Sequence, residues 1–135
     1  MDMGKKFSDG RRIFGDGKTT RGFVGGLIVG TIVGLLQGIA EVPLGEHLLL
    51  GFLLALGALL GDLVSSFIKR RLDIERGGAA PGLDQLSFVV VALMLASPVK
   101  VITWREIAAI LIVTPPIHLA TNFVGYKLGL KSRPY

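Results

Sequence analysis

Asp62 is a carboxylate set in an otherwise apolar stretch that runs from His47 to Ile68. An aspartate at the centre of a membrane helix costs about 2.5–3.5 kcal/mol on insertion scales, so such residues persist where they do chemistry. Ser66, Lys69 and Asp73 follow Asp62 at i+4, i+7 and i+11, a spacing that predicts one helix face carrying all four. With a rise of about 1.5 Å per residue, Asp62 lies roughly 10 Å below Lys69. A polar stripe thus descends from a basic surface into an apolar segment, as a cation or phosphate site at the headgroup level requires. A carboxylate that merely pairs with Lys69 at a frayed helix end is the simpler alternative, and the depth of Asp62 argues against it.

Two glycine-bearing loops add to this stripe. The first starts at Lys69-Arg70-Arg71, continues through Asp73, Glu75 and Arg76 to Gly77-Gly78-Ala79-Ala80-Pro81-Gly82, and is followed by Asp84 and Gln85. A basic run beside a membrane span by itself reads as a contact for anionic headgroups. Interleaved acids and glycines read instead as a site, because glycine lets backbone N–H groups approach phosphate closely. The second loop is Gly15-Asp16-Gly17-Lys18-Thr19-Thr20-Arg21-Gly22. It is not a Walker A loop, since Arg12 stands where that motif needs its first glycine. It also starts like the signature of the CDP-alcohol phosphatidyltransferases, with Asp16-Gly17, Arg21 and Gly30. Gly34 and Gly38 occupy the positions of that family's later aspartates, so its metal site cannot form. What remains is a loop whose Lys18 and Thr19 suit phosphate. Farther along, His118, Thr121, Asn122 and Tyr126 share a helix face just after Pro115-Pro116. Hydrogen bonding between helices is the first expectation for that face.

The elements that must position these groups are membrane helices. Of 135 residues, 50% are hydrophobic and only 19% charged, less charge than a soluble domain of this size carries. A span needs about 20 apolar residues. Four segments qualify as an all-α polytopic bundle: Gly22 to Ala40, His47 to Ile68, a short one between Asp84 and Lys100, and Ile107 to Tyr126. No segment alternates with period two, which excludes strands. Gly26, Gly30, Gly34 and Gly38 form a small-residue stripe that lets another helix come to backbone contact, inside the chain or across a homodimer.

All but Lys100 and Arg105 of the 15 Lys and Arg fall in three regions: residues 1–21, the 69–83 loop, and the tail after Tyr126. Even numbers of spans separate these regions, so they share one side. The positive-inside rule makes that side cytoplasmic, in a multi-pass protein of the cell membrane. The charge of +5 is thereby assigned to headgroups and phosphate substrates, not nucleic acid. With no cysteine, disulfides and thiolate chemistry are excluded.

Gly61-Asp62-Leu63-Val64-Ser65-Ser66-Phe67-Ile68-Lys69-Arg70-Arg71 resembles the cytidylyltransferase signature of the CDP-diacylglycerol synthases, and Pro81-Gly82-Leu83-Asp84-Gln85 is similar to its later proline-glycine segment. Gly17-Lys18-Thr19-Thr20-Arg21-Gly22 resembles that family's upstream motif. The family's Gly-His-Gly-Gly is absent, and Glu75-Arg76 replaces its Lys-Asp. Together with the ending from Pro116 to Tyr126 and Lys131-Ser132-Arg133-Pro134, this resembles the archaeal branch, the CDP-archaeol synthases. The resemblance implies five helices, the first missing here. It implies CTP and an isoprenoid ether-lipid phosphate as substrates, and Mg2+ as cofactor. It implies Asp62, Lys69 and Asp84 as catalytic residues, and Asp62, Asp84 and Glu75 as metal ligands. Lys18, Thr19, Ser66, Arg70, Gly82 and Asn122 would hold the nucleotide or lipid phosphate. A diacyl phosphatidate substrate, or a small four-helix transporter using Asp62 as a coupling carboxylate, are the competing expectations.

Overall fold

The computed structural model describes residues 1–15, 17–40, 44–74, 78, 80 and 82–129. They form four helices: α1 (Thr20–Ala40), α2 (Leu44–Arg71), α3 (Leu83–Ala96) and α4 (Trp104–Lys127). Among them only an isolated bridge, Lys6 to Arg12, has strand character. At about 1.5 Å per residue, the 28 residues of α2 reach about 42 Å, beyond a hydrocarbon core of about 30 Å, so its basic last turn clears the apolar layer. The 14 residues of α3 reach only about 21 Å, and α1, α2 and α4 are the helices long and apolar enough to cross a membrane. The third expected span is thus the short one, as its sequence suggested.

Burial is inverted relative to a soluble bundle. Ser65, Ser66 and Asn122 are buried, whereas Ile28, Val29, Ile32, Leu36, Ile112 and Phe123 are exposed on the outer faces. A surface of that kind is stable against lipid tails and not against water. This is a membrane protein.

The glycine stripe packs inside the chain, against α2. A Cβ at Gly34 would lie 2.6 Å from Gly51 Cα and 2.7 Å from the His47 carbonyl oxygen; at Gly38 it would meet the His47 Cβ at 2.7 Å. On its other flank α2 presents Gly57 and Gly61 to the backbone of α3 at Ala92 and Phe88. Helix α2 is therefore the middle of the bundle, touching α1 and α3, while α4 packs on α3 alone. Pro115 and Pro116 lie inside a continuous α4, and the Thr121 hydroxyl donates to carbonyls of its own helix, Ile117 (3.0 Å) and His118 (3.0 Å). Thr121 thus makes no bond between helices in the way the sequence suggested. The start of α4 is fixed by Thr103, whose N–H donates to Glu106 Oε2 at 2.8 Å.

Residues before α1 fold back over the end of α2. Arg71 forms an ion pair with Asp9 at 2.6 Å, donates to the Arg12 carbonyl at 2.6 Å, and lies 4.6 Å from the Phe67 ring centroid. Phe7 completes the aromatic contact, edge-on to Phe67 at 5.4 Å. Arg11 pairs with Asp73 at 2.6 Å. Asp73 takes a left-handed φ of 57° just past the helix end, so it does not continue the face of Asp62 and Lys69 as the i+11 spacing predicted. The helix ends too soon to carry it, and its carboxylate serves to fasten the N-terminal segment.

A leucine at Gly34 would force α1 and α2 apart. Overpacking of this kind costs about 1–3 kcal/mol or more. Gly34→Leu is expected to lower the thermal unfolding midpoint of the detergent-solubilised protein, whereas Gly45→Leu, at an open position, leaves it nearly unchanged.

Candidate functional site

Three helices and the segment leading into α1 contribute to one polar cavity of about 400 Å³ at the end of the bundle where α1 and α3 begin. Lys18, Asp62, Lys69, Asp84, His118 and Asn122 are among its lining residues. They come from the approach to α1, from α2, from the first turn of α3 and from the second half of α4. Helix α2 supplies Asp62 and Lys69 because seven residues is close to two full turns. The Gly61 contact with Phe88 sets α3 against α2 so that Asp84 comes level with them.

The site has two lysine–carboxylate pairs. Lys69 Nζ lies 2.7 Å from Asp84 Oδ1, with side chains 14% and 22% exposed. Ser65 Oγ donates to the same oxygen at 3.0 Å, and the Ala80 N–H donates to Asp84 Oδ2 at 3.1 Å. Lys69 also reaches the Gly78 carbonyl at 3.4 Å. Asp84 is thereby fixed from three directions. The second pair is Lys18 with Asp62, more open, at 26% and 52% exposure. It bridges the loop before α1 to the middle helix. A buried ammonium–carboxylate pair is held more for position than for net stability.

The remaining expected site residues divide. Asn122 is buried at 6% and lines the cavity. Thr19 caps α1, its hydroxyl accepting the Gly22 N–H at 3.0 Å. That leaves the N-terminus of α1, with no acidic residue in its first turn, directly behind Lys18, a favourable place for an anion. Gly82 makes the turn into α3 with φ 83°, and its N–H donates to the Gln85 side chain at 3.4 Å; Gly78 is the loop glycine that borders the cavity. Ser66 is buried, and the hydroxyl that reaches Asp84 belongs to Ser65. Ser65 lies at i+3 from Asp62 and at i−4 from Lys69, so helical spacing was capable of finding it. Arg70 is not among the lining residues; it lies beside Gly15, its Nε buried without a hydrogen-bond partner. Glu75 lies outside the described residues. Phe88 and His118 were not singled out as site residues. Their rings face each other at 6.1 Å across α3 and α4, and both border the cavity.

Among the described residues no group of three or more His, Asp or Glu gathers as a metal cage. Asp62 and Asp84 do line one cavity, and carboxylates are the ligands that magnesium takes from a protein. That ion uses one or two carboxylates and completes its shell with substrate phosphate and water.

The fold and site together are those of a membrane-embedded helical bundle with paired acids and lysines around a cavity at one end. A solved structure of an intramembrane enzyme for archaeal membrane lipids biosynthesis matches with a TM-score of 0.81 at 41% identity, over 90% of this chain and 77% of that one. The family model described as CarS-like, CDP-archaeol synthase, matches residues 1–135, and the chain belongs to that family. The CDP-archaeol synthase of Pyrococcus horikoshii is 53% identical over 100% of this chain and 82% of its own length. That of Methanococcoides burtonii is 47% identical, over 100% of this chain and 89% of its own.

Removing Lys69 would leave Asp84 charged, half-buried and deprived of its cation, and would remove a donor from the cavity. Lys69→Met is expected to lower the initial rate by about 100-fold or more. Ser65→Ala, which deletes one of three donors, should cost only about tenfold. Rates measured on equal amounts of purified, folded protein check the order.

Proposed function

We propose that the chain transfers the cytidylyl group of CTP to 2,3-bis-(O-geranylgeranyl)-sn-glycerol 1-phosphate, forming CDP-archaeol and releasing pyrophosphate. Family membership over the whole chain supports the reaction. The observation that carries the site is the convergence of the Lys18–Asp62 and Lys69–Asp84 pairs on one cavity. An oxygen of the lipid phosphate attacks the α-phosphorus of CTP. The P–O bond to the β-phosphate breaks, and pyrophosphate leaves with its electron pair. The nucleophile is already anionic near neutral pH, since the second pKa of a phosphate monoester is about 6. No general base is required, so neither a histidine nor a cysteine needs to act as one.

The task of the protein is to bring two polyanions together and align them. Lys18, at the N-terminus of α1, takes the phosphates of CTP. Lys69 stands across the cavity between Asp84 and the Gly78 carbonyl, where an entering phosphate would compete for its ammonium. Asp62 and Asp84 would hold magnesium, which when bound neutralises the charge of the triphosphate. Asn122, from α4, offers a neutral polar contact in the same cavity. Arg70 adds positive charge behind the loop. The apolar outer faces keep the isoprenoid chains in the bilayer while the headgroup meets water-borne CTP. The basic ends, residues 1–21 and 69–83, face the cytoplasm, where the nucleotide is.

The ether lipid is favoured over diacyl phosphatidate by the archaeal relatives. A coupling-carboxylate transporter is not favoured, because Asp62 is paired with Lys18 in a cavity that Lys69 also lines.

Purified protein incubated with radiolabelled CTP, magnesium and each lipid phosphate should yield a labelled lipid, most with the ether-linked isoprenoid substrate; no labelled lipid with any of them would refute the reaction. EDTA is expected to abolish the signal and added magnesium to restore it. Asp62→Asn should reduce turnover by about 100-fold or more while the protein still folds. Near-normal turnover in EDTA would remove the metal assignment.

A further inference from the structure

Asp2 is the most enclosed carboxylate among the described residues, its side chain 2% exposed, and the reaction as described gives it no part. Its oxygens are fully engaged. Oδ1 accepts from Arg12 Nη2 at 2.9 Å and from the Gly4 N–H at 3.3 Å. Oδ2 accepts the N–H groups of Phe14 and Gly15, both at 2.9 Å. A carboxylate offers about four lone-pair directions, and four donors occupy them. Asp2 therefore has no capacity left for a metal ion or a phosphate-bound water, although it borders a second cavity that Lys18 and Thr19 also line. The Arg12 guanidinium, followed by the Gly15 and Phe14 N–H groups, holds its carboxyl well below the usual carboxylate range, against the opposing effect of burial.

What Asp2 grips is the turn that delivers Lys18. Gly15 has a φ of 88°, a left-handed conformation suited to glycine. Its carbonyl accepts the Lys18 N–H at 3.3 Å, closing the turn directly before the Thr19 cap. The Arg12 carbonyl, in turn, is held by Arg71 at the end of α2. The segment thus runs as a strap along α2, anchored at Arg71, tightened by Asp2 at residues 12–15, and ending with Lys18 on Asp62. Nine residues of helix separate the two anchor points, a span of roughly 14 Å. Without Asp2, the adjacent Phe14 and Gly15 N–H donors would lose this acceptor and the Arg12 guanidinium would lose one of its contacts.

We infer that Asp2 is a positioning residue that fixes the chain at residues 12–15 so that Lys18 is pre-set to receive the phosphates of the nucleotide. The inference rests on the reading of Lys18 as a phosphate ligand. It separates the two substrates: CTP recognition depends on the turn, and the lipid phosphate does not.

Asp2→Asn turns one acceptor oxygen into a donor facing N–H groups. It should speed hydrogen exchange at residues 14–18 and raise the KM for CTP about tenfold or more, with the KM for the lipid phosphate unchanged. In a Lys18→Met background the same substitution should add almost nothing, because coupled residues are not additive. Arg12→Gln, which removes one partner and leaves the three backbone bonds to Asp2, should show the same pattern more weakly and serves if Asp2→Asn does not fold. Unchanged exchange at 14–18, an equal rise in both KM values, or full additivity with Lys18→Met would overturn the inference. Wild-type kinetics in Lys18→Met alone would refute the role of Lys18 instead; the exchange data would then decide whether Asp2 holds the turn.

Discussion

Backbone-to-backbone contact along α2 is the constraint from which the rest follows. In lipid, apolar side chains gain nothing by choosing each other over acyl tails, so helices associate where small residues permit close approach. Helix α2 meets that condition on two flanks. Its Gly51 lies against Gly34 of α1, and its Gly57 and Gly61 lie against Ala92 and Phe88 of α3. The second contact has chemical consequences, since it sets the register of α3 and brings Asp84 within reach of Ser65 and Lys69. A helix pair held apart by leucines would place those three groups at separate heights and leave charges stranded in an apolar layer.

Charge is managed by pairing throughout. Lys69 answers Asp84, Lys18 answers Asp62, and Arg71 and Arg11 answer Asp9 and Asp73 at the end of the bundle. The two inner pairs differ from the two outer ones in what they face. The outer pairs close the N-terminal segment onto α2 and are backed by the Phe7–Phe67 contact. The inner pairs open onto a cavity. A cavity that offers two carboxylates and two ammonium groups suits a cation and a phosphate together, the combination that joining two phosphorylated substrates needs.

Much of this was legible along the chain. The positions of the spans follow from uninterrupted apolar runs, and the shortness of α3 from the distance between Asp84 and Lys100. The glycine stripe at every fourth residue announced a close helix contact, though not its partner. Asp62 and Lys69 stood out because a carboxylate within a span and an ammonium two turns later are costly unless used. Asp84 was reached through its motif. The misreadings are local. Asp73 was placed on the helix face because spacing assumes that the helix continues, and the chain turns left-handed there instead. Ser65, beside the expected Ser66, is the hydroxyl that the packing of α3 on α2 brings to Asp84, a contact that spacing along one helix does not reveal. Thr19 and Gly82 carry backbone roles, as cap and turn, that their motifs do not distinguish from ligand contact.

The sequence alone determined that this chain lives in a membrane, which end of it is basic, and which acids and lysines are too expensive to be idle. Those properties are sums over local residues: hydropathy, charge and helical period need no knowledge of neighbours in space. Which groups meet was decided by the tertiary structure. Lys18 reaches an aspartate 44 residues away, Asp2 ties down a turn a dozen residues on, and Asn122 and His118 share a wall with Asp62. None of these has a periodic signature, because each depends on how the backbones cross, and the crossing is fixed by contacts between residues that carry almost no side chain.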